Sequence, residues 1–114
     1  MNNMKKYLVL MLVLFSAQSF GGGFTGTIRS IVCHEQNVSP TCQISVNGVP
    51  TGQPVCATSS WRFSFDGTTI EGRNMLSIML AAQVSKQKIA IGGKGYCSVS
   101  SASEDVRHVY IIAD

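Results

Sequence analysis

Two histidines, six carboxylates, four cysteines and one glycine-flanked lysine are the side chains through which this chain could act on a substrate. His34-Glu35 begins like the H-E-x-x-H zinc-hydrolase motif, in which two imidazoles one helical turn apart hold the metal and the carboxylate acts as base. The second histidine position is Val38, and the other histidine, His108, stands far along the chain. Gly92-Gly93-Lys94-Gly95 resembles a phosphate-cradling loop but lacks the upstream glycine that such a loop needs, and reads as a tight turn. Glu104 and Asp105 would suit paired acid–base work only if they converged. Adjacent residues on a strand point to opposite faces. No G-x-S-x-G nucleophile elbow is present among the serines. These residues predict no catalytic centre, no cofactor and no metal site.

Cys33, Cys42, Cys56 and Cys97 form no C-x-x-C pair and lie near no paired histidines, so a metal cage is not expected. An even number of cysteines in a short exported chain reads as a disulfide framework, which also removes any thiol nucleophile. Three pairings exist. The favoured one closes a short loop with Cys33–Cys42 and joins distant segments with Cys56–Cys97.

The export reading comes from residues 1–19. Lys5 and Lys6 precede an unbroken apolar run from Tyr7 to Phe15, and Ser16-Ala17-Gln18-Ser19 follows with small residues where a signal peptidase needs them. Cleavage is expected after Ser19, which leaves one small domain, 20–114. The apolar run is far short of the roughly 20 residues that span a bilayer, so no membrane span is expected once the signal is removed. The predicted location is the periplasm or the exterior of a bacterium. Lys5 and Lys6 leave with the signal. Seven cations (Arg29, Arg62, Arg73, Lys86, Lys88, Lys94, Arg107) then face six carboxylates (Glu35, Asp66, Glu71, Glu104, Asp105, Asp114), so the net charge drops from +3 to 7 − 6 = +1. That is no electrostatic footprint for nucleic acid.

The elements that must position these residues follow from alternation and punctuation. Strands are predicted over 24–33, 42–46, 55–65, 88–91 and 106–112, with a turn at Asn47-Gly48 and loops around Pro40 and Pro50 to Pro54. Trp61, Phe63 and Phe65 alternate and are expected in the core, whereas Phe24, Tyr96 and Tyr110 suit either core or rim, and Tyr96, beside Gly95, equally suits presenting its ring to a sugar face. One helix is expected to end near Ser85, capped through the Thr68/Glu71 spacing or by Asn74. The order β-β-β-α-β-β is that of an OB-fold-like five-stranded barrel, mainly β with one helix and, here, two disulfides. From Asn74 to Ser85 the helix carries no charge. Met75, Leu76, Ile78, Met79, Leu80 and Ala82 cover an arc of about 200°, wider than a helix packed on one side requires. The excess is expected either deep at one end of the barrel or, as the favoured reading, against a second copy of the chain packed through Asn74 to Ser85, with Asn74, Ser77, Ala81 and Ser85 small enough for close approach.

Phe24-Thr25-Gly26-Thr27-Ile28 at the first strand, Cys56 through Trp61 to Phe63-Ser64-Phe65, the helix Met75 to Val84, the strand Ile89-Ala90-Ile91, and Cys97 form a series of segments. Together they resemble the binding subunit of the subtilase cytotoxin family, itself similar to pertussis-toxin-type binding subunits. The resemblance implies an OB-fold, a pentameric ring with helices around its pore, and glycan recognition without catalysis. In that family the hydroxyl residue after the first phenylalanine helps to bind a sialic acid, and the matching position is Thr25. The family's tyrosine after the Val/Ile-x-Ile strand falls here on Gly92-Gly93, and Cys33 has no counterpart. The expected function is therefore an exported, non-enzymatic glycan- or receptor-binding subunit. The alternative is a periplasmic interaction protein, such as an inhibitor or immunity factor, with a protein partner.

Overall fold

The first strand is not continuous. In the computed structural model, which describes residues 21–113, it breaks into β1 (Gly23–Gly26) and β2 (Ile28–Cys33). Gly26 has φ +155°, outside the range comfortable for a side chain, and a Cβ there would lie 2.7 Å from the Phe24 ring. The chain swings at this point and Thr27 is clasped by the turn that the sequence places at Asn47-Gly48: Asn47 donates from its backbone N to the Thr27 carbonyl (3.0 Å) and from Nδ2 to Thr27 Oγ1 (2.9 Å).

The remaining elements are β3 (Cys42–Val46), β4 (Phe63–Phe65), α1 (Ile70–Ser85), β5 (Ile89–Gly93) and β6 (Glu104–Ile111). They form one six-stranded mixed sheet in the order β1-β5-β6-β4-β3-β2, antiparallel except where β4 and β6 run parallel. The sheet is open in its hydrogen bonding, whereas the element order alone predicts a closed five-stranded barrel. Splitting the first strand accounts for both differences: its two halves become the opposite edges of the sheet, separated in sequence by Thr27 alone.

Alternation sets the core. Cys42, Ile44 and Val46 on β3, and Ile89 and Ile91 on β5, point inward with Phe63, Phe65, Val106 and Val109. The predicted strand 55–65 shortens to three residues. Its first half is instead a turn-rich loop in which Ala57 N bonds the Pro54 carbonyl, and Thr58 N and Ser59 N bond that of Ala102. Trp61 therefore precedes the strand and is half-buried outside the core, unlike Phe63 and Phe65. The disulfides are Cys33–Cys42, which joins register partners at the end of the β2–β3 ladder, and Cys56–Cys97, which ties this loop to the segment before β6.

The helix is capped by Thr69, whose Oγ1 accepts from Gly72 N at 3.0 Å. The sequence spacing points to Thr68 or Asn74 instead. Thr68 is engaged one step earlier, donating from its hydroxyl and its backbone N to Asp66, and these bonds hold the Asp66 carboxyl below the usual carboxylate range. Asn74 lies inside the helix. α1 packs on β6 and β2. Met79 and Ala82 are buried and Met75, Leu76 and Ile78 pack at the margin, but Ile70, Leu80 and Val84 on the opposite stripe remain exposed, at 74%, 45% and 85%. One chain thus covers five of the six residues of the predicted arc and leaves Leu80 exposed, with Ile70 and Val84, which lie outside that arc, exposed beside it. No described helix is long and apolar enough to cross a membrane. The signal segment 1–19 and its cleavage point lie outside the described residues.

Candidate functional site

The outer face of β1, β5 and β6 forms a groove of about 860 Å³. Its floor follows from the β5 sequence Ile89-Ala90-Ile91-Gly92-Gly93. The two isoleucines are buried, so Ala90 and Gly92 face outward with almost no side chain. Cross-strand register then places two rows over this floor, Thr25–Ala90–Tyr110 and Gly23–Gly92–His108. With strands about 4.8 Å apart, Thr25 and Tyr110 stand on opposite banks about 10 Å apart at the backbone.

The β6 bank depends on an irregularity. Gly92 pairs with His108 but Gly93 pairs with Val106, which leaves Arg107 unpaired in a bulge. Val106 and Val109 point inward at 3% and 7% exposure, so the extra residue lets Arg107 and His108 both face out. His108 lies over Gly92, where a Cβ would come within 2.5 Å of its Cε1. The rings of His108 and Tyr110 stack with centroids 6.3 Å apart and planes 21° from parallel. The groove thus presents a hydroxyl on one side, a cation and two stacked rings on the other, and a smooth floor between. The sequence pattern carried a signal for this: Arg107-His108 between two valines interrupts strict alternation, as a bulge requires.

One end of the groove is held by the buried carboxylate of Glu104. Glu104 is fully buried; its Oε2 accepts from Gly22 N (2.8 Å) and Gly95 N (2.9 Å), and its Oε1 accepts from Gln53 Nε2 (3.2 Å). Gly93 makes room for it, since a Cβ there would sit 2.1 Å from the Glu104 carboxyl carbon. Asp105 accepts from the Ser98 hydroxyl and from the backbone N of Ser98 (2.8 Å) and Val99 (3.1 Å). The two carboxylates therefore serve separate loops. Glu104 anchors the Gly21–Gly23 segment that lines the groove, and Asp105 shapes the 97–99 loop. Gly92-Gly93 belongs to β5 and to this anchoring, and Gly95 turns the chain with φ +86°.

Of the residues singled out from sequence, Thr25, Phe24 and Tyr110 line the groove, and Tyr96 does not. His34 and Glu35 are exposed on the 34–41 loop. Among the described residues no three His, Cys, Asp or Glu side chains are grouped to hold a metal ion. Comparison of the chain with family models, with curated proteins and with solved structures finds no significant match.

Proposed function

We propose that this protein is an exported, non-enzymatic binding module whose β1–β5–β6 groove takes a saccharide on a cell-surface receptor. The observation that carries the reading is the facing pair of banks: the exposed Thr25 hydroxyl across from Arg107 and the stacked His108 and Tyr110 rings. Sugars offer hydroxyls for polar partners and C–H faces for aromatic rings, and a groove with a few convergent polar groups is the usual form of such a site. The resemblance to subtilase-cytotoxin-type binding subunits points to the same residue, Thr25. Its missing tyrosine falls where Gly92 leaves space, and the His108 ring occupies that space. The strand order, with its one parallel pair and with both edges supplied by the halves of one strand, supports an OB-like barrel whose seam lies at Thr27.

A glycan array probed with folded protein tests this. Retention of a defined set of glycans is expected, with at least tenfold weaker binding by Thr25→Ala and Tyr110→Ala. If no saccharide is retained and a periplasmic protein is bound instead, the interaction-protein reading replaces this one. The same reading includes self-association through the helix, supported by exposed Ile70, Leu80 and Val84 on a stripe with Ser77 and Ala81. Light scattering of the mature protein at micromolar concentration is expected to give an oligomer, and Leu80→Glu or Val84→Glu to give monomers. A monomeric unaltered protein removes self-association from the proposal.

A further inference from the structure

A second recess, of about 450 Å³, lies on the other side of the turn after β3: Gly48 lines this recess, while Val49 and Thr51 line the groove. Arg29, Arg62 and Trp61 converge on it together with the hydroxyl-bearing Ser30, Ser45 and Ser60, and no carboxylate lines it. Sequence distance gives no hint of this meeting. Arg29 reaches it from a register shift in β2 between Ile28 and Ser30, and Ser45 is the ladder partner of Ser30. Trp61 and Arg62 come from the segment before β4, and their backbones are pinned. The Trp61 carbonyl accepts from Ser103 Oγ (2.5 Å), and the Arg62 carbonyl accepts from Gln53 Nε2 (3.0 Å) and Glu104 N (3.2 Å). The Arg29 carbonyl likewise accepts from Gln83 Nε2 at 3.2 Å.

Two arginines lining one recess with no carboxylate among its lining residues concentrate positive charge there, and an oxyanion offsets that charge while matching the guanidinium fork with paired N–H donors. The adjoining indole offers an apolar face and the serines offer short hydrogen-bonding groups. The recess suits one ring-sized group rather than a polymer strand. The near-neutral charge of the mature chain argues against an extended polyanion such as nucleic acid. We infer that this recess is a second binding site, for an acidic sugar held through its carboxylate or sulfate by Arg29 and Arg62 with its ring against Trp61. The oxyanion part stands on the arginines alone; the choice of a sugar rests on the saccharide reading above.

Trp61 is the only tryptophan in the chain, so intrinsic tryptophan fluorescence reports on this recess and not on the groove. Titration of the mature protein with a heparin-derived sulfated disaccharide, and separately with a glucuronate-containing disaccharide, is expected to give a saturable change with at least one of them. Lactose is expected to give none. Arg29→Gln and Arg62→Gln, checked for unchanged thermal midpoints, should each weaken the effect at least tenfold, and Thr25→Ala should leave it unaltered. Added salt should weaken it as well. The inference is overturned if neither acidic disaccharide gives a saturable change, or if the arginine variants bind as well as the parent. Inorganic sulfate binding as tightly as the better disaccharide would overturn the sugar assignment. Saturable binding here by a protein that retains nothing on the glycan array through its groove would separate the fate of this site from that of the first.

Discussion

Glu104→Ala is expected to destabilise the domain by about 3–5 kcal/mol. The side chain is fully buried and is the acceptor for three donors, Gly22 N, Gly95 N and Gln53 Nε2. Truncation leaves Gly22 N and Gly95 N without an acceptor, at about 1–3 kcal/mol for each buried one, leaves Gln53 Nε2 with the Arg62 carbonyl alone, and opens a void beside Gly93. For a domain of this size the thermal midpoint should fall by at least about 12 °C. Glu104→Gln should cost less. Its amide oxygen can still accept from Gly22 and Gly95, and the Gln53 amide can flip to accept from the new NH2, at the loss of the Gln53 bond to the Arg62 carbonyl. The alanine variant releases Gly21–Gly23 from the groove bank and should weaken ligand binding with stability, whereas the glutamine variant keeps the Gly22 bond and should retain most of the binding. Melting followed by circular dichroism decides the matter: a loss below about 1 kcal/mol for the alanine variant would show that the carboxylate does not hold the segment.

The second large effect concerns the bridges, which are expected to be unequal. Cys56–Cys97 spans 41 residues and Cys33–Cys42 spans 9. Loop-closure entropy in the unfolded chain then assigns about 4 kcal/mol to the long bridge and about 2.5 kcal/mol to the short one. Local structure sharpens the contrast. Cys33 and Cys42 are register partners in a β ladder that holds them side by side without the bond. Cys56 lies in a turn-rich loop outside the strands, tied to its surroundings chiefly by the bonds of Thr58 and Ser59 to Ala102, and Val55 beside it is 96% exposed. Urea unfolding of Cys56→Ala/Cys97→Ala and Cys33→Ala/Cys42→Ala is expected to show the larger loss for the first pair. The reverse order would mean that the long loop is already ordered in the unfolded chain or held natively by other contacts. Small domains have total stabilities of about 5–15 kcal/mol, so the long bridge supplies a substantial part of what keeps this one folded.

What was legible in the sequence is what depends on neighbours along the chain. The strand 42–46 follows from alternation of Cys42, Ile44 and Val46, and the end of the helix near Ser85 follows from its apolar run and the loss of pattern beyond it. The Asn47-Gly48 turn is likewise a local property of those two residues. The helix cap moved by one residue because Asp66, outside any capping motif, engages Thr68 and leaves Thr69 to the helix. Thr25 was reachable only through resemblance.

Tertiary structure decided the rest. The parallel pairing of Phe63 with Glu104 joins residues far apart in sequence, and no periodicity announces it. That pairing, with the loops folded over it, buries Glu104 and Asp105, which composition would place at the surface. The break at Gly26–Thr27 sends two halves of one apolar run to opposite sheet edges, and the bulge at Arg107 turns two consecutive side chains outward. Both recesses are lined by segments that meet only through such non-local pairing. Local propensity sets which way a residue's own backbone turns, but a site is made by segments whose meeting is governed by long-range register and burial.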